Sequence, residues 1–402
     1  MRSAARNRNL VAGMRLGRIS RAVVAGAVLV MGASAASWAQ GPTYTKNVIY
    51  SFTGGSDGAD PLAGLVRDGV GNLYGTTYAG GDYGAGTVFR LDTTGKESVL
   101  HSFSGGPDGG YPYAGLILDA AGNLYGTADA GGAHNYGAVF KVPAGGTEGV
   151  LYSFTGTGGD GVNPLAGLVR DGAGTLYGTT ASGGASGLGT VFKLSAGGAE
   201  TVLHSFRGGA DGEYPEAGLV QDGVSNLYGT TYAGGASGFG TVFKIDATGN
   251  DTVLYSFRGG ADGEYPAAGL VQDAAGNLYG TTNSGGASGD GIVFKISPAG
   301  KETVLHSFKG GKDGEYPYAS VIRGAAGNLY GTTYAGGASG WGTVFEINPT
   351  GKETVLYSFA GAADGASPEG GLVQDAAGHL YGTTKYGGAF GAGTVFKLSP
   401  AP

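Results

Sequence analysis

One tetrapeptide dictates most of what this chain can fold into. Asn72-Leu73-Tyr74-Gly75 returns, with single substitutions, around Tyr125, Tyr177, Tyr228, Tyr279, Tyr330 and Tyr381. The tyrosines stand 51 residues apart, apart from one interval of 52. A near-constant period of this length marks a repeat architecture in which each copy is one supersecondary unit stacked on its neighbours.

Each unit holds four short strands, here called A to D from the inside outward. In one well-preserved copy strand A is Ala268-Gly269-Leu270-Val271-Gln272, followed by the turn Asp273-Ala274-Ala275-Gly276. Strand B is Asn277-Leu278-Tyr279-Gly280-Thr281-Thr282; a Gly-rich loop leads to strand C, Ile292-Val293-Phe294-Lys295-Ile296. A second turn ending at Gly300 leads to strand D, Thr303-Val304-Leu305-His306-Ser307-Phe308. These β-branched and aromatic runs, bounded by Gly, Asp and Pro, carry the strand signature, and no stretch shows sustained helical periodicity. Four antiparallel strands per unit predict an all-β, seven-bladed β-propeller. A β-solenoid is the rival, and the ends of the chain argue against it. Asn47 to Phe52 is a strand D lacking its A, B and C, whereas Thr394 to Leu398 is a strand C lacking its D. The first completes the last blade, so the N-terminal strand closes the ring and removes its open edge. The pairs Ala63-Gly64, Ala114-Gly115, Ala166-Gly167, Ala217-Gly218 and Ala268-Gly269 place small residues on strand A, where blades crowd the axis.

Composition removes several alternatives. The 87 glycines follow no three-residue period, which excludes collagen, and 41% hydrophobic residues argue against disorder. The absence of cysteine rules out disulfide scaffolds, thiolate metal sites and thiol nucleophiles. Residues 1–39 carry six arginines, an apolar run from Ala22 to Met31, and the small-residue site Ser37-Trp38-Ala39. That order predicts a Sec signal peptide cleaved after Ala39, a secreted or periplasmic protein, and a single propeller over 40–402. Without those arginines the net charge of −7 becomes more negative still, so nucleic acid is not an expected partner, nor is membrane insertion. A monomer is expected.

The run Asp273-Ala274-Ala275-Gly276-Asn277-Leu278-Tyr279-Gly280-Thr281-Thr282, followed by Gly285-Gly286-Ala287-Ser288-Gly289, resembles the GloVer tandem repeat of secreted bacterial proteins. The resemblance covers residues 47–398. It implies an extracellular or envelope protein and brings no catalytic residues. The Asp-x-x-Gly-Asn-Leu-Tyr turn is more loosely similar to NHL-type propellers.

Two aspartate series recur. Asp57, Asp108, Asp160, Asp211, Asp262, Asp313 and Asp364 lie in the D–A connection, each four residues before a proline. They read as turn formers rather than a cation ring. Within that connection Asp57/Asp60 and the pairs Asp211/Glu213, Asp262/Glu264 and Asp313/Glu315 are the nearest approach to a metal site; no cofactor is expected, and calcium is the one ion left open. Asp68, Asp119, Asp171, Asp222, Asp273 and Asp375 open the A–B turn, with Gly324 in the sixth copy. His101, His204 and His306 alternate with tyrosine on strand D and cannot converge on one metal. His134, in the loop His134-Asn135-Tyr136, is the one histidine kept as a site candidate.

Variation within the repeat carries the functional expectation. Tyr78, Tyr232 and Tyr334 follow the Thr-Thr pair, while Phe239 and Trp341 share one B–C loop position. Tyr111, Tyr113, Tyr214, Tyr265, Tyr316 and Tyr318 flank the loop proline. The D–A and B–C loops emerge on one face, which these aromatics share with Glu213, Glu216, Glu264, Glu315 and Glu369. Aromatic faces with carboxylate acceptors suit an extracellular glycan or a protein partner. The chain reads as a non-catalytic binding or scaffold propeller. A propeller lyase or hydrolase on polysaccharide or lactone is the second reading, and a structural envelope component the third. No polar cluster converging on the axis is apparent from the sequence, and no catalytic residue is named.

Overall fold

The strands form where β-branched and aromatic residues alternate on a pleated surface, and the model shows how they assemble. The computed structural model describes residues 44–401, so the proposed signal peptide lies outside the described residues. These residues form seven four-stranded antiparallel sheets arranged as a propeller. In blade 5 strands A to D are Val271–Gln272, Leu278–Thr282, Ile292–Ile296 and Glu302–Ser307. Blade 1 begins with strand A at Val66–Arg67, and blade 7 with strand A at Val373–Gln374. Among the described residues there is no α-helix, only 3-10 turns such as Gly209–Asp211 in the D–A connections.

The ring closes as its ends predict. Blade 7 takes strands B and C from Leu380–Thr384 and Thr394–Pro400, and its strand D is Tyr44–Ser51. The two ends of the chain pair antiparallel from Tyr44 opposite Pro400 to Ser51 opposite Thr394. The closing strand starts three residues before Asn47 and so includes Lys46.

Strand A is shorter than its sequence indicates. Only its last two residues pair with strand B, and the Ala-Gly-Leu segment before them runs unpaired. Its backbone is occupied elsewhere. The first threonine of each Thr-Thr pair donates its hydroxyl to a strand-A carbonyl of the next blade, as in Thr230 to Ala268 at 3.2 Å. Seven such bonds circle the ring, ending with Thr383 to Ala63 at 2.9 Å. The glycines beside these carbonyls touch across the seams: a Cβ on Gly218 would lie 3.3 Å from the oxygen of Gly167.

The core lies between the blades. The phenylalanine that ends each strand D meets the strand-C phenylalanine of the following blade edge to face, as in Phe257 with Phe294 at 5.1 Å. All seven seams repeat this contact at 5.0–5.2 Å. Such geometry adds about 0.5–1.5 kcal/mol to the effect of burial. Room for the ring comes from the glycine of strand B, since a Cβ on Gly280 would stand 2.7 Å from Cζ of Phe294.

Candidate ligand-binding face

Each D–A connection is held by its own aspartate. Asp57 accepts the Thr53 N–H at 2.8 Å and the Tyr50 hydroxyl at 2.9 Å. Asp313 accepts the Lys309 N–H at 2.8 Å and lies 3.2 Å from Nε2 of His306. The other five make the equivalent pair of contacts. These carboxylates are therefore tied blade by blade to the outer strand, and tyrosine alternates with histidine there because both reach the same aspartate. Glu264 accepts its own loop's Gly260 N–H at 2.9 Å, so Asp262 and Glu264 each stabilise the loop. In the second series, Asp119 accepts the N–H groups of Ala121 and Asn123 and the hydroxyl of Tyr125. Burial is the largest single influence and opposes its charge, yet these donors together with the Asn123 side-chain amide outweigh it and hold the carboxyl down to about 2.

The residue before each loop proline adopts a left-handed backbone. Asp60, Tyr111, Asn163, Tyr214, Tyr265, Tyr316 and Ser367 have φ between 52° and 59°. That conformation costs a side chain about 1–2 kcal/mol, and glycine adopts it freely. A chain with 87 glycines nonetheless carries a side chain at all seven positions. Each of these residues also joins two blades. The Tyr265 N–H donates to Phe239 at 3.0 Å, and its carbonyl accepts the Asn283 N–H at 3.3 Å. Backbone bonds thereby bring the B–C loop residue, the left-handed residue and the residue after Thr-Thr into one sector per seam.

The sectors gather the expected aromatics. Tyr232 and Tyr265 stack at 5.1 Å, and Phe239 meets Tyr265 edge-on at 5.8 Å. Tyr78 contacts Tyr111 at 5.5 Å and Tyr113 at 6.2 Å, and Tyr318 contacts Tyr334 at 5.6 Å. Tyr111, Tyr113, Tyr318 and Trp341 are exposed. Tyr214 and Tyr316 are half-buried, and His134 stands exposed in the blade 2 loop.

The structure corrects one expectation: polar groups do converge on the axis. Tyr113, Glu216, Tyr318 and Glu369 occupy the position after the loop proline in blades 2, 4, 6 and 7. Tyr113 feels the charges of Glu369, Lys385 and Glu216 and the phenol of Tyr318, which places these groups near one another around the central mouth. Although 43% of Tyr113 is exposed, the surrounding protein shields its hydroxyl from water and pushes it well up, with Glu369 adding to the shift. Glu369 pairs with Lys385 at 3.1 Å. Burial raises the Glu369 carboxyl, while Lys385 pulls the other way. Burial opposes the Lys385 charge, but Glu369 overrides it and the ammonium is held above its usual range. Beside Tyr232, Asn283 is 6% exposed and its Oδ1 accepts no hydrogen bond. The repeat signal pointed to these positions, since they vary most, but their meeting depends on closure across the ring.

The sequence matches the family described as Gloeobacter/Verrucomicrobia repeat over residues 37–170, 143–323 and 303–402. The chain belongs to that family. No curated protein matches this Gloeobacter/Verrucomicrobia repeat protein. In fold it is similar to the extracellular domain of a protein described as a hybrid two-component system from B. thetaiotaomicron. That similarity has a TM-score of 0.60 and 12% identity, covering 90% of this chain and 40% of the other. A second structure, the extracellular domain of a protein from B. thetaiotaomicron described as a one-component system, gives 0.57 and 12%, covering 85% and 38%. This chain thus spans about two fifths of the length of both. A protein described as a gluconolactonase superposes at 0.45 with 11% identity, covering 89% and 92%, too loosely for its name to bear on the chemistry here.

Proposed function

We propose that this propeller is an extracellular binding module whose ligand, a neutral glycan, sits over the axial mouth of the D–A/B–C face. The convergence of Tyr113, Glu216, Tyr318, Glu369 and Lys385 carries this reading. Tyrosine rings offer flat apolar faces to pyranose rings, and carboxylates accept hydrogen bonds from sugar hydroxyls. Carboxylates outnumber cations at the mouth, which disfavours acidic polysaccharides. The export-like composition of residues 1–39 supports placement outside the cytoplasm, as do the extracellular domains of similar fold. No described helix is long and apolar enough to cross a membrane.

A polysaccharide array followed by calorimetry tests the reading. Binding to neutral glycans is expected, with an affinity loss of about tenfold or more when Tyr113 and Tyr318 are both changed to Ala. Unchanged affinity in that variant overturns it. The raised carboxyl of Glu369 beside Lys385 favours a second reading, a hydrolase or lyase at the same mouth. Turnover of a bound glycan that disappears in Glu369→Gln would decide for the enzyme.

A further inference from the structure

Away from the axis, every seam contains one more side chain, the first residue of strand D. In blades 1 to 6 it is Glu97, Glu148, Glu200, Asp251, Glu302 and Glu353, with Glu148 standing one residue before the strand of blade 2. Each lies against the loop aspartate of the preceding blade, respectively Asp57, Asp108, Asp160, Asp211, Asp262 and Asp313. Two carboxylates thus face each other at six seams, where a third group differs. At the seams of Asp57, Asp160 and Asp262 it is a tyrosine, whose hydroxyl donates to the aspartate. At the seams of Asp108, Asp211 and Asp313 it is a histidine, whose ring nitrogen can offer a lone pair instead, and at the last two it lies within 4.8 Å of an oxygen of each carboxylate.

We propose that His204–Asp211–Asp251 and His306–Asp313–Glu353 each bind one divalent transition-metal ion, zinc in the first instance, clamping two blades together. In each set one imidazole nitrogen and two carboxylate oxygens lie within 4.8 Å of one another. The nitrogen is 3.1 Å from Asp211 in the first and 3.2 Å from Asp313 in the second. Ligand atoms around a tetrahedral zinc with bonds of about 2.0–2.1 Å stand roughly 3.3 Å apart, so small side-chain rotations complete the sphere. Oδ1 of Asp251 and Oε1 of Glu353, like the equivalent oxygens of Glu97, Glu148, Glu200 and Glu302, are sealed from solvent and meet no hydrogen-bond donor, but among the described residues only these two stand beside an imidazole nitrogen in metal-ligand range. A divalent ion supplies the missing partner and cancels the two carboxylate charges. One nitrogen and two oxygens suit zinc and its neighbours, whereas calcium takes six or more oxygens. The earlier pairing of these aspartates with Glu213 and Glu315 is replaced by a pairing across the seam.

The protein supplies its own control, because tyrosine fills the histidine position in four other copies. Tag-free chain stripped with EDTA is titrated with zinc chloride at pH 7 by calorimetry and thermal melting. The parent is expected to take up ions at both sets and to melt at least about 5 °C higher with zinc in excess. H204Y and H306Y each lose one equivalent, and the double variant loses two while its metal-free melting point stays within about 2 °C of the parent. Equal zinc uptake in parent and double variant, or none in the parent, overturns the proposal.

Discussion

At the residue scale, each letter of the Leu-Tyr-Gly-Thr-Thr motif has a contact that fixes it. The tyrosine reaches the turn aspartate, the glycine admits the strand-C phenylalanine, and the first threonine latches the next blade. The second threonine meets the first threonine of strand C, as in Thr231 with Thr241 at 2.8 Å. The strand identity of the motif was legible from its side chains; the partners were not, because they lie in turns and on other strands and, for the first threonine, one blade onward. Blade 6 tests this account, since Gly324 removes the turn carboxylate. There Glu346 stands where the other blades carry Lys or Arg, and it accepts the Asn328 amide and, at 3.1 Å, the Tyr330 hydroxyl. One carboxylate has replaced another from the neighbouring strand. Glu346→Lys should therefore destabilise by about 1–3 kcal/mol, the cost of leaving buried donors unmade. Adding Gly324→Asp should recover most of it, because Gly324 has an ordinary φ and the aspartate would restore the common turn. Urea unfolding of the single and double variants measures the pair, and a double variant no more stable than E346K would refute the compensation.

At the scale of the element, the blade is held by its seams more than by its own sheet, and the seam is where sequence reading was weakest. Six of the threonine latches join residues 38 or 39 apart and the seventh residues 320 apart, and the strand-D glutamates look like ordinary edge charges until the preceding loop is placed against them. Glu97, Glu200 and Glu302 are each raised to about 7, by burial first and then by Asp57, Asp160 and Asp262. The tyrosine hydroxyls of these seams face the same aspartates, and Arg258 offsets part of the effect on Glu302. A carboxyl whose folded value exceeds its unfolded one stabilises the fold fully below about 4.5 and loses that contribution as pH rises through 7. Melting temperature should consequently fall between pH 5 and pH 8. Glutamine at positions 97, 200 and 302 mimics the protonated acid, so the triple variant should show a flatter pH profile. An identical slope in parent and variant would locate the titration elsewhere.

For the whole molecule, closure was the most legible feature, because the fragments at the two ends are complementary halves of one blade. What specifies the closing seam was less visible. Lys46 takes the position that is acidic in the other six strands D, and it pairs with Asp364 at 2.8 Å with its side chain 2% exposed. The ammonium also donates to the Asp364 carbonyl and lies over the rings of Tyr357 and Phe359 at 5.5 and 5.2 Å. Burial lowers its pKa, and Asp364 opposes that shift. The one seam formed without chain continuity between its strand D and the blade it completes thus carries a lysine where the others carry a second carboxyl. Lys46→Glu would make the seventh seam like its neighbours. At pH 8 both carboxylates would be charged, and the closing strand should lose about 3–5 kcal/mol, the typical cost of breaking a buried pair. At pH 5 the new glutamate would take up a proton, as Glu302 does in the parent, and most of the loss should vanish. Limited proteolysis beyond Ser51, with melting at both pH values, follows the strand directly. Cleavage that is equal at pH 5 and pH 8 would mean that strand pairing alone closes the ring and that the charge at this seam is incidental.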